Sequence, residues 1–358
     1  MKGFLKKNKK NIFNAVFLIV VFSFTVYYVF NGTGDSAEEI FDKMKMASPG
    51  WLCISVIFVV LFIYGESHII HYMLRTFGIR AKRFTCFLYS CVGFFFSCIT
   101  PSASGGQPMQ IYYMKKNKIP IPVATVILMI VTITYKAVLV AVGLWLVIFD
   151  RTFVWQKLSG IIYIFYLGIA LNVFCVTAML ILVFHNKLAK NIVVTLVKLL
   201  ERLHIMKKKE GRIQQFEKSM DMYNRTADYL KEHIPVIIKV FIITVFQRFA
   251  YFFVTYFIYR SFGLSGTNVY TIVMLQAVIS LSVDMLPLPG GMGISEALFN
   301  IIFLPVFGQS FLSAGMVLTR SLSFYTELLI SAVLTVFANI YIGRYTREEW
   351  QNVKNDSI

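Results

Sequence analysis

Long apolar runs separated by short, mostly basic connections dominate the chain, a pattern that predicts helices crossing a membrane. A crossing helix needs about 20 predominantly apolar residues. Residues 11–30, 51–74, 121–149, 160–184, 235–260 and 314–341 all supply such a run. The first follows a basic tail, yet it is too long for a secretory h-region and has no small-residue cleavage site. It therefore predicts a membrane helix. Residues 31–50 are polar and net acidic, with Asp35, Glu38, Glu39 and Asp42, as a loop on the outer side would be.

Two apolar stretches do not fit simple crossing. Residues 84–114 have basic connections at both ends, whereas residues 268–305 are bordered by connections poor in base. The middle of the first reads Thr100-Pro101-Ser102-Ala103-Ser104-Gly105-Gly106-Gln107-Pro108. The middle of the second reads Leu286-Pro287-Leu288-Pro289-Gly290-Gly291-Met292-Gly293-Ile294-Ser295-Glu296. Each predicts a pair of short helices joined by a Pro/Gly break near the midplane, one pair entering from the cytoplasm and the other from outside. That is the signature of an inverted repeat with broken helices, which in transporters points to the binding site. Irregular backbone at membrane depth survives only where protein or a water-filled cavity satisfies it. Ordinary spans kinked by Pro and Gly are the competing reading.

The predicted fold class is an all-α polytopic membrane protein, a single domain over residues 1–358. It has about eight membrane elements, two of them re-entrant or broken-helix hairpins in an inverted repeat. Residues 185–234 form a basic amphipathic connection within it. There Val193, Leu196, Val197, Leu199, Leu200 and Leu203 alternate with Lys198, Glu201 and Arg202 at helical spacing, so part of it is expected on the membrane surface.

Composition agrees with this patterning. The 358 residues are 57% hydrophobic and 15% charged, against about 25% charged in soluble domains. A disordered chain and a nucleic-acid partner are excluded, and an ordinary cytosolic enzyme is disfavoured. The net charge of +17 is informative through its placement. Most basic residues lie in the N-terminal tail, in 75–83, 115–118 and 185–234, and in the C-terminal tail. The remaining connections hold only Lys43, Lys45, Arg151, Lys157 and Arg260. This positive-inside asymmetry places both termini in the cytoplasm and the multi-pass chain in the cell membrane. Anionic headgroups would then face the basic connections, at about 1 kcal/mol per residue. Cys53, Cys86, Cys91, Cys98 and Cys175 all sit in apolar runs without metal-ligand spacing, as small buried hydrophobes do.

The chemistry is carried by ionisable residues inside the apolar runs: Glu66, Lys136, Arg248, Asp284, Glu296, Arg320 and Glu327. A charge at the bilayer centre costs at least about 2.5–3.5 kcal/mol on insertion scales, so each needs a partner, a cavity or a route to the interface. Arg320 and Glu327 share one helix face through their spacing of seven. Three cations facing a cavity would attract a phosphate, which Arg can grip bidentately; ion pairing between helices is the alternative. Helices restarting at Pro108 and near Ile294 offer unpaired N–H groups and a dipole that favours an anion. Glycines let a headgroup approach the main chain closely. The candidate substrate-binding residues are therefore Ser104, Gly105, Gly106, Gln107, Lys136, Arg248, Asp284, Gly290, Gly291, Gly293, Glu296, Arg320 and Glu327. For Glu296, in a first helical turn, a capping role is equally open.

His68 and His71 are spaced i, i+3 beside Glu66, but no second ligand cluster accompanies them, and neither a metal nor a cofactor is expected. The Ser102–Gly105 stretch invites comparison with an intramembrane serine protease. A nucleophile needs a base in reach, and no histidine lies at matching depth, so no catalytic residue is assigned. The Gly-x-x-x-x-Gly-Lys-Ser/Thr pattern of ATP-binding loops is missing from the sequence, so any transport is expected to run downhill or on an ion gradient.

Thr100-Pro101 with Gly105-Gly106-Gln107-Pro108, and Pro287-x-Pro289-Gly290-Gly291-x-Gly293-x-x-Glu296-Ala297, resemble the signatures of the lysylphosphatidylglycerol synthase transmembrane (flippase-like) family. The resemblance covers nearly the whole chain, and the second motif is the more specific. It implies a membrane part that moves aminoacylated phosphatidylglycerol between leaflets, as in multiple peptide resistance factors, where a separate cytosolic domain makes that lipid. Antimicrobial-peptide resistance is implied by the family alone. This sequence ends at Ile358 without such a domain and is expected not to aminoacylate lipid itself. It also differs in carrying Ser102-Ala103-Ser104 before the glycines, and Gln107 where an acidic residue is common. The leading expectation is a flippase or scramblase for a phospholipid such as phosphatidylglycerol or its lysyl derivative. Two alternatives stand beside it: an enzyme of lipid modification, of the phosphatidylglycerol lysyltransferase type catalogued for similar chains, and a solute transporter or a partner that recruits a separate synthase. Self-association is a further expected partnership.

Overall fold

The computed structural model describes residues 36–185 and 212–355, and among these every regular element is helical. In chain order the helices are α1 (Ala37–Lys45), α2 (Pro49–Thr76), α3 (Arg83–Cys98), α4 (Gly106–Lys116), α5 (Ile121–Phe149), α6 (Arg151–Lys157), α7 (Ile162–Phe184), α8 (Arg212–Glu232), α9 (Ile234–Ser261), α10 (Val269–Val283), α11 (Ile294–Arg320) and α12 (Thr326–Asn355). Among the described residues, five helical segments are long and apolar enough to cross a membrane: Pro49–Thr76, Ile121–Phe149, Ser159–Phe184, Ile234–Ser261 and Pro289–Ile342. The protein is an all-α polytopic membrane protein. The apolar run at 11–30 and the amphipathic pattern at 193–203 lie outside the described residues.

Both irregular stretches fold as helical hairpins. Helix α3 has 16 residues and α4 has 11, about 24 and 16 Å at 1.5 Å per residue, short of a hydrocarbon core about 30 Å thick. They run antiparallel and close together. Gly93 leaves room for Gln110, Gly106 sits against Ser97 and the Gly93 carbonyl, and Asn117 bonds the Tyr89 hydroxyl at 2.5 Å. Helix α10 has 15 residues and ends at Val283, with Asp284 as its C-cap. After the second break α11 leads away and bends where Gly308 (φ 67°, ψ 165°) interrupts it, three residues beyond Pro305.

Two separate cores show how the hairpins are oriented. One gathers Ile70, Leu74, Cys86, Tyr89, Met114, Ile119, Val123, Leu230 and Ile342, beside the basic connections. The other gathers Ala47, Leu146, Phe153, Leu158, Ile258, Ile272, Phe303 and Phe307. The base of the α3–α4 hairpin lies in the first core and the base of α10–α11 in the second. The hairpins therefore enter from opposite ends, and their tips meet between the cores. There Ser102 Oγ donates to Leu286 O at 3.4 Å, and Cys98, Met292 and Phe324 pack together.

Two connections are more ordered than a plain loop. Ser36 and Glu39 form a reciprocal capping box that starts α1, with Glu39 N to Ser36 Oγ at 3.2 Å. The Ser-x-x-Glu spacing that builds it is visible in the sequence, inside residues read above as a loop. Helix α8, within the basic connection, is docked as well: Tyr223 donates to Leu182 O at 3.2 Å.

Candidate functional site

The hairpin tips and the faces of α2, α5, α9 and the α11–α12 junction enclose a cavity of about 480 Å3. Each wall places a polar group by a local device. On α2, Gly65 admits Gln247 of α9, which donates to Phe62 O at 3.0 Å and locks the two helices together. That contact presents the next residue, Arg248, to the cavity. Glu66 accepts from Gln110 of α4 at 2.7 Å. From α5 come Thr132, Tyr135 and Lys136; Gln107 bonds Thr132, and Tyr135 and Lys136 both bond Asp284. A helix that stops in mid-membrane leaves its last carbonyls without partners. The Leu281 carbonyl near the end of α10 finds Asn172 of α7 at 3.3 Å, where Gly168 allows the close approach.

The second break is the more heavily braced. Gly290, Gly291 and Gly293 adopt φ of 57°, 64° and 86°. A Cβ on Gly290 would run into the Phe324 ring. Arg320 donates to Gly290 O at 2.9 Å and pairs through Nε with Glu296 Oε1 at 2.7 Å. The other Glu296 oxygen accepts the Gly293 N–H at 2.6 Å. Glu296 is thus the cap of α11, and its own carboxylate occupies the helix end where the sequence suggested an external anion. Arg320 and Glu327 both line the cavity, although a π turn over Ser321–Tyr325 interrupts the helix between them. Glu327 lies 3.8 Å from Cys98 Sγ.

At the first break α4 begins at Gly106, with Gly105 as N-cap, so Pro108 is the third helical residue rather than the first. It remains within the turn whose N–H groups have no intrahelical partner, so proline costs nothing there. The left-handed residues are Ser102 (φ 49°) and Ala103 (φ 53°). Gly105 has an ordinary φ of −83°. The glycines here serve closeness instead: Gly105 N donates to Thr100 Oγ1 at 2.8 Å, and Gly106 lies against Ser97.

Of the residues singled out in the sequence, Ser104, Gln107, Lys136, Arg248, Asp284, Gly290, Gly291, Arg320 and Glu327 line the cavity. Gly105, Gly106, Gly293 and Glu296 stand behind that lining and shape it. Glu66, Tyr135, Gln110, Gln247, Tyr251 and Gln276 also line it. The amides could have been found by the rule used for the charges, since a glutamine within an apolar run also needs a partner at depth. His68 and His71 do not line the cavity; His68 stacks beside Tyr64, and His71 lies 3.9 Å from Cys86 Sγ.

The charges sort into pairs with a remainder. Lys136 is bonded to Asp284, and Arg320 to Glu296. Arg248 makes no ion pair with a described residue; its guanidinium stacks 3.3 Å from the Tyr135 ring centroid and 5.0 Å from that of Phe62. Its buried Nε has no hydrogen-bond partner among the described residues. Glu66 and Glu327 are the carboxylates that interact with it electrostatically, and a planar cation stacked on aromatic rings is a group that can hold an anion.

The family described as lysylphosphatidylglycerol synthase TM region matches residues 13–331. The chain belongs to this family. No curated protein matches it. The matched region includes both hairpins and the whole cavity lining, so the family assignment and the cavity concern the same part of the molecule.

Proposed function

We propose that the protein moves a phospholipid between membrane leaflets, holding its headgroup in the cavity between the hairpin tips while its tails stay in the bilayer. The observation that carries this is Arg248, the cavity cation without an ion-pair partner among the described residues. Its guanidinium, whose Nε has no hydrogen-bond partner among the described residues, suits a phosphate diester. Glu66 and Glu327, which also line the cavity, would hold a cationic part of the headgroup such as a lysyl amine. Ser102, Ser104 and Gln107 add hydroxyl and amide contacts along the first break. Membership in a family named for lysylphosphatidylglycerol supports phosphatidylglycerol or its lysyl derivative as the cargo. The setting is the cell membrane, with both termini and the basic connections on the cytoplasmic face.

A leaflet-accessibility assay on proteoliposomes tests this, comparing fluorescent phosphatidylglycerol and its lysyl form with phosphatidylcholine. Protein-dependent exposure of the anionic or lysyl lipid, with phosphatidylcholine left behind, is the expected result. Folded protein that exposes none of them overturns the proposal.

A further inference from the structure

The acidic and basic side chains that meet at the hairpin tips do not balance. Lys136, Arg248 and Arg320 stand against four carboxylates, Glu66, Asp284, Glu296 and Glu327. Lys136 is bonded to Asp284 and Arg320 to Glu296, so Arg248 alone faces both Glu66 and Glu327. Among the described residues, one carboxylate is therefore in excess. The apolar run at 11–30 brings no lysine, arginine or histidine that could offset it. The side chains at 186–217 and 343–358, outside the described set, neighbour Val183, Met220 and Ile342 in sequence, and those three lie in the core at the basic end.

No element around the two glutamates supplies a second cation. Glu66 of α2 accepts from Gln110 of α4 at 2.7 Å. Glu327 of α12 is 7% exposed, and α3 offers it only the Cys98 thiol at 3.8 Å, a weak donor. Cys91 of α3 faces both glutamates, and Tyr251 of α9 faces Glu327. From α5, Tyr135 and Lys136 are engaged with Asp284. From α11, Arg320 is held by Glu296 and the Gly290 carbonyl, with Tyr325 beside that pair. Glu66 and Glu327 also act on one another across the cavity.

Two carboxylates that share one cation at membrane depth do not both stay ionised; the one in excess neutralises by taking a proton. We infer that Glu66 and Glu327 hold one proton between them before a headgroup binds and exchange it on binding, so that lipid movement is coupled to a proton gradient. The coupling rests on the lipid-transport reading, whereas the proton rests on charge balance alone. Phosphatidylglycerol carries one negative charge. Bound at Arg248, it takes that cation from the glutamates, and the second of them is protonated as well. The lysyl form is net positive, and its ammonium displaces the shared proton instead. One lipid therefore travels with a proton and the other against it.

Infrared spectroscopy of the full chain in detergent reads the proton directly. At neutral pH the wild type should show a protonated-carboxyl band that Glu66→Gln combined with Glu327→Gln removes. Glu327→Gln alone serves if the double variant folds poorly, because the remaining carboxylate then has Arg248 to itself and the band should again be lost. A wild type without the band, or a band that survives both variants, overturns the shared proton. Proteoliposomes with a gradient of about one pH unit and a clamped membrane potential read the coupling. The gradient should bias the leaflet distribution by up to about tenfold, phosphatidylglycerol toward the alkaline side and the lysyl form toward the acidic side. For phosphatidylglycerol the bias should vanish in the double variant. Exposure that ignores the gradient in the wild type overturns the coupling and leaves lipid transport standing. No exposure of either lipid, with the band present, overturns the transport reading and its coupling while upholding the shared proton.

Discussion

At the second break the left-handed backbone falls on Gly290, Gly291 and Gly293, whereas at the first it falls on Ser102 and Ala103. The two tips touch and line one cavity, yet they are stabilised differently. The second is clamped by an ion pair: Arg320 reaches the Gly290 carbonyl, and Glu296 caps α11. The first is tied by hydroxyls, Thr100 to the Gly105 N–H and Ser102 to the Leu286 carbonyl, and it carries backbone strain. The lesson is a division of labour, in which a rigid, charge-braced tip forms one wall and a strained, polar tip forms the other.

Removing the brace should have the largest effect. Arg320→Ala leaves Glu296, 1% exposed, as a lone buried carboxylate, which costs about 3–5 kcal/mol. Melting of the purified protein in detergent should fall steeply. Unchanged melting would mean that the clamp is not what fixes the second tip. Arg320 is therefore a poor probe of transport, because its loss confounds binding with folding. Next comes Gly290→Ala, whose new methyl meets the Phe324 ring at a left-handed φ; strain and overpacking together cost about 2–4 kcal/mol. At the first break the reciprocal change should carry the opposite sign. Ala103→Gly removes strain at φ 53° and should raise stability by up to about 1 kcal/mol, less the entropy that glycine adds to the unfolded chain. If Gly290→Ala and Ala103→Gly both destabilise by similar amounts, the contrast between the tips fails.

Much of this arrangement was legible in the sequence. The crossing helices announce themselves by length and hydropathy, and both breaks by Pro and Gly at mid-run. The opposite entry of the two hairpins follows from which flanks are basic. Partner choice was not legible: Lys136 meets Asp284 from 148 residues away, and nothing local separates Arg320, which is paired, from Arg248, which makes no ion pair with a described residue. The left-handed positions at the first break were hidden too, because a serine and an alanine adopt them while the adjacent glycines stay right-handed or serve close packing. Helix α1 was hidden only by its length, its capping box being plain in the sequence.

Arg248 carries the account, and the direct measurement is leaflet exposure of fluorescent phosphatidylglycerol by wild type and Arg248→Gln in matched proteoliposomes, with melting followed in parallel. The stacking lost with the guanidinium is worth about 2 kcal/mol, and the parallel melting curve separates that loss of stability from loss of transport. The predicted result is transport reduced tenfold or more, consistent with loss of a charge-assisted phosphate contact. A folded Arg248→Gln protein that moves the lipid at the wild-type rate would contradict the claim that this cavity holds the phosphate.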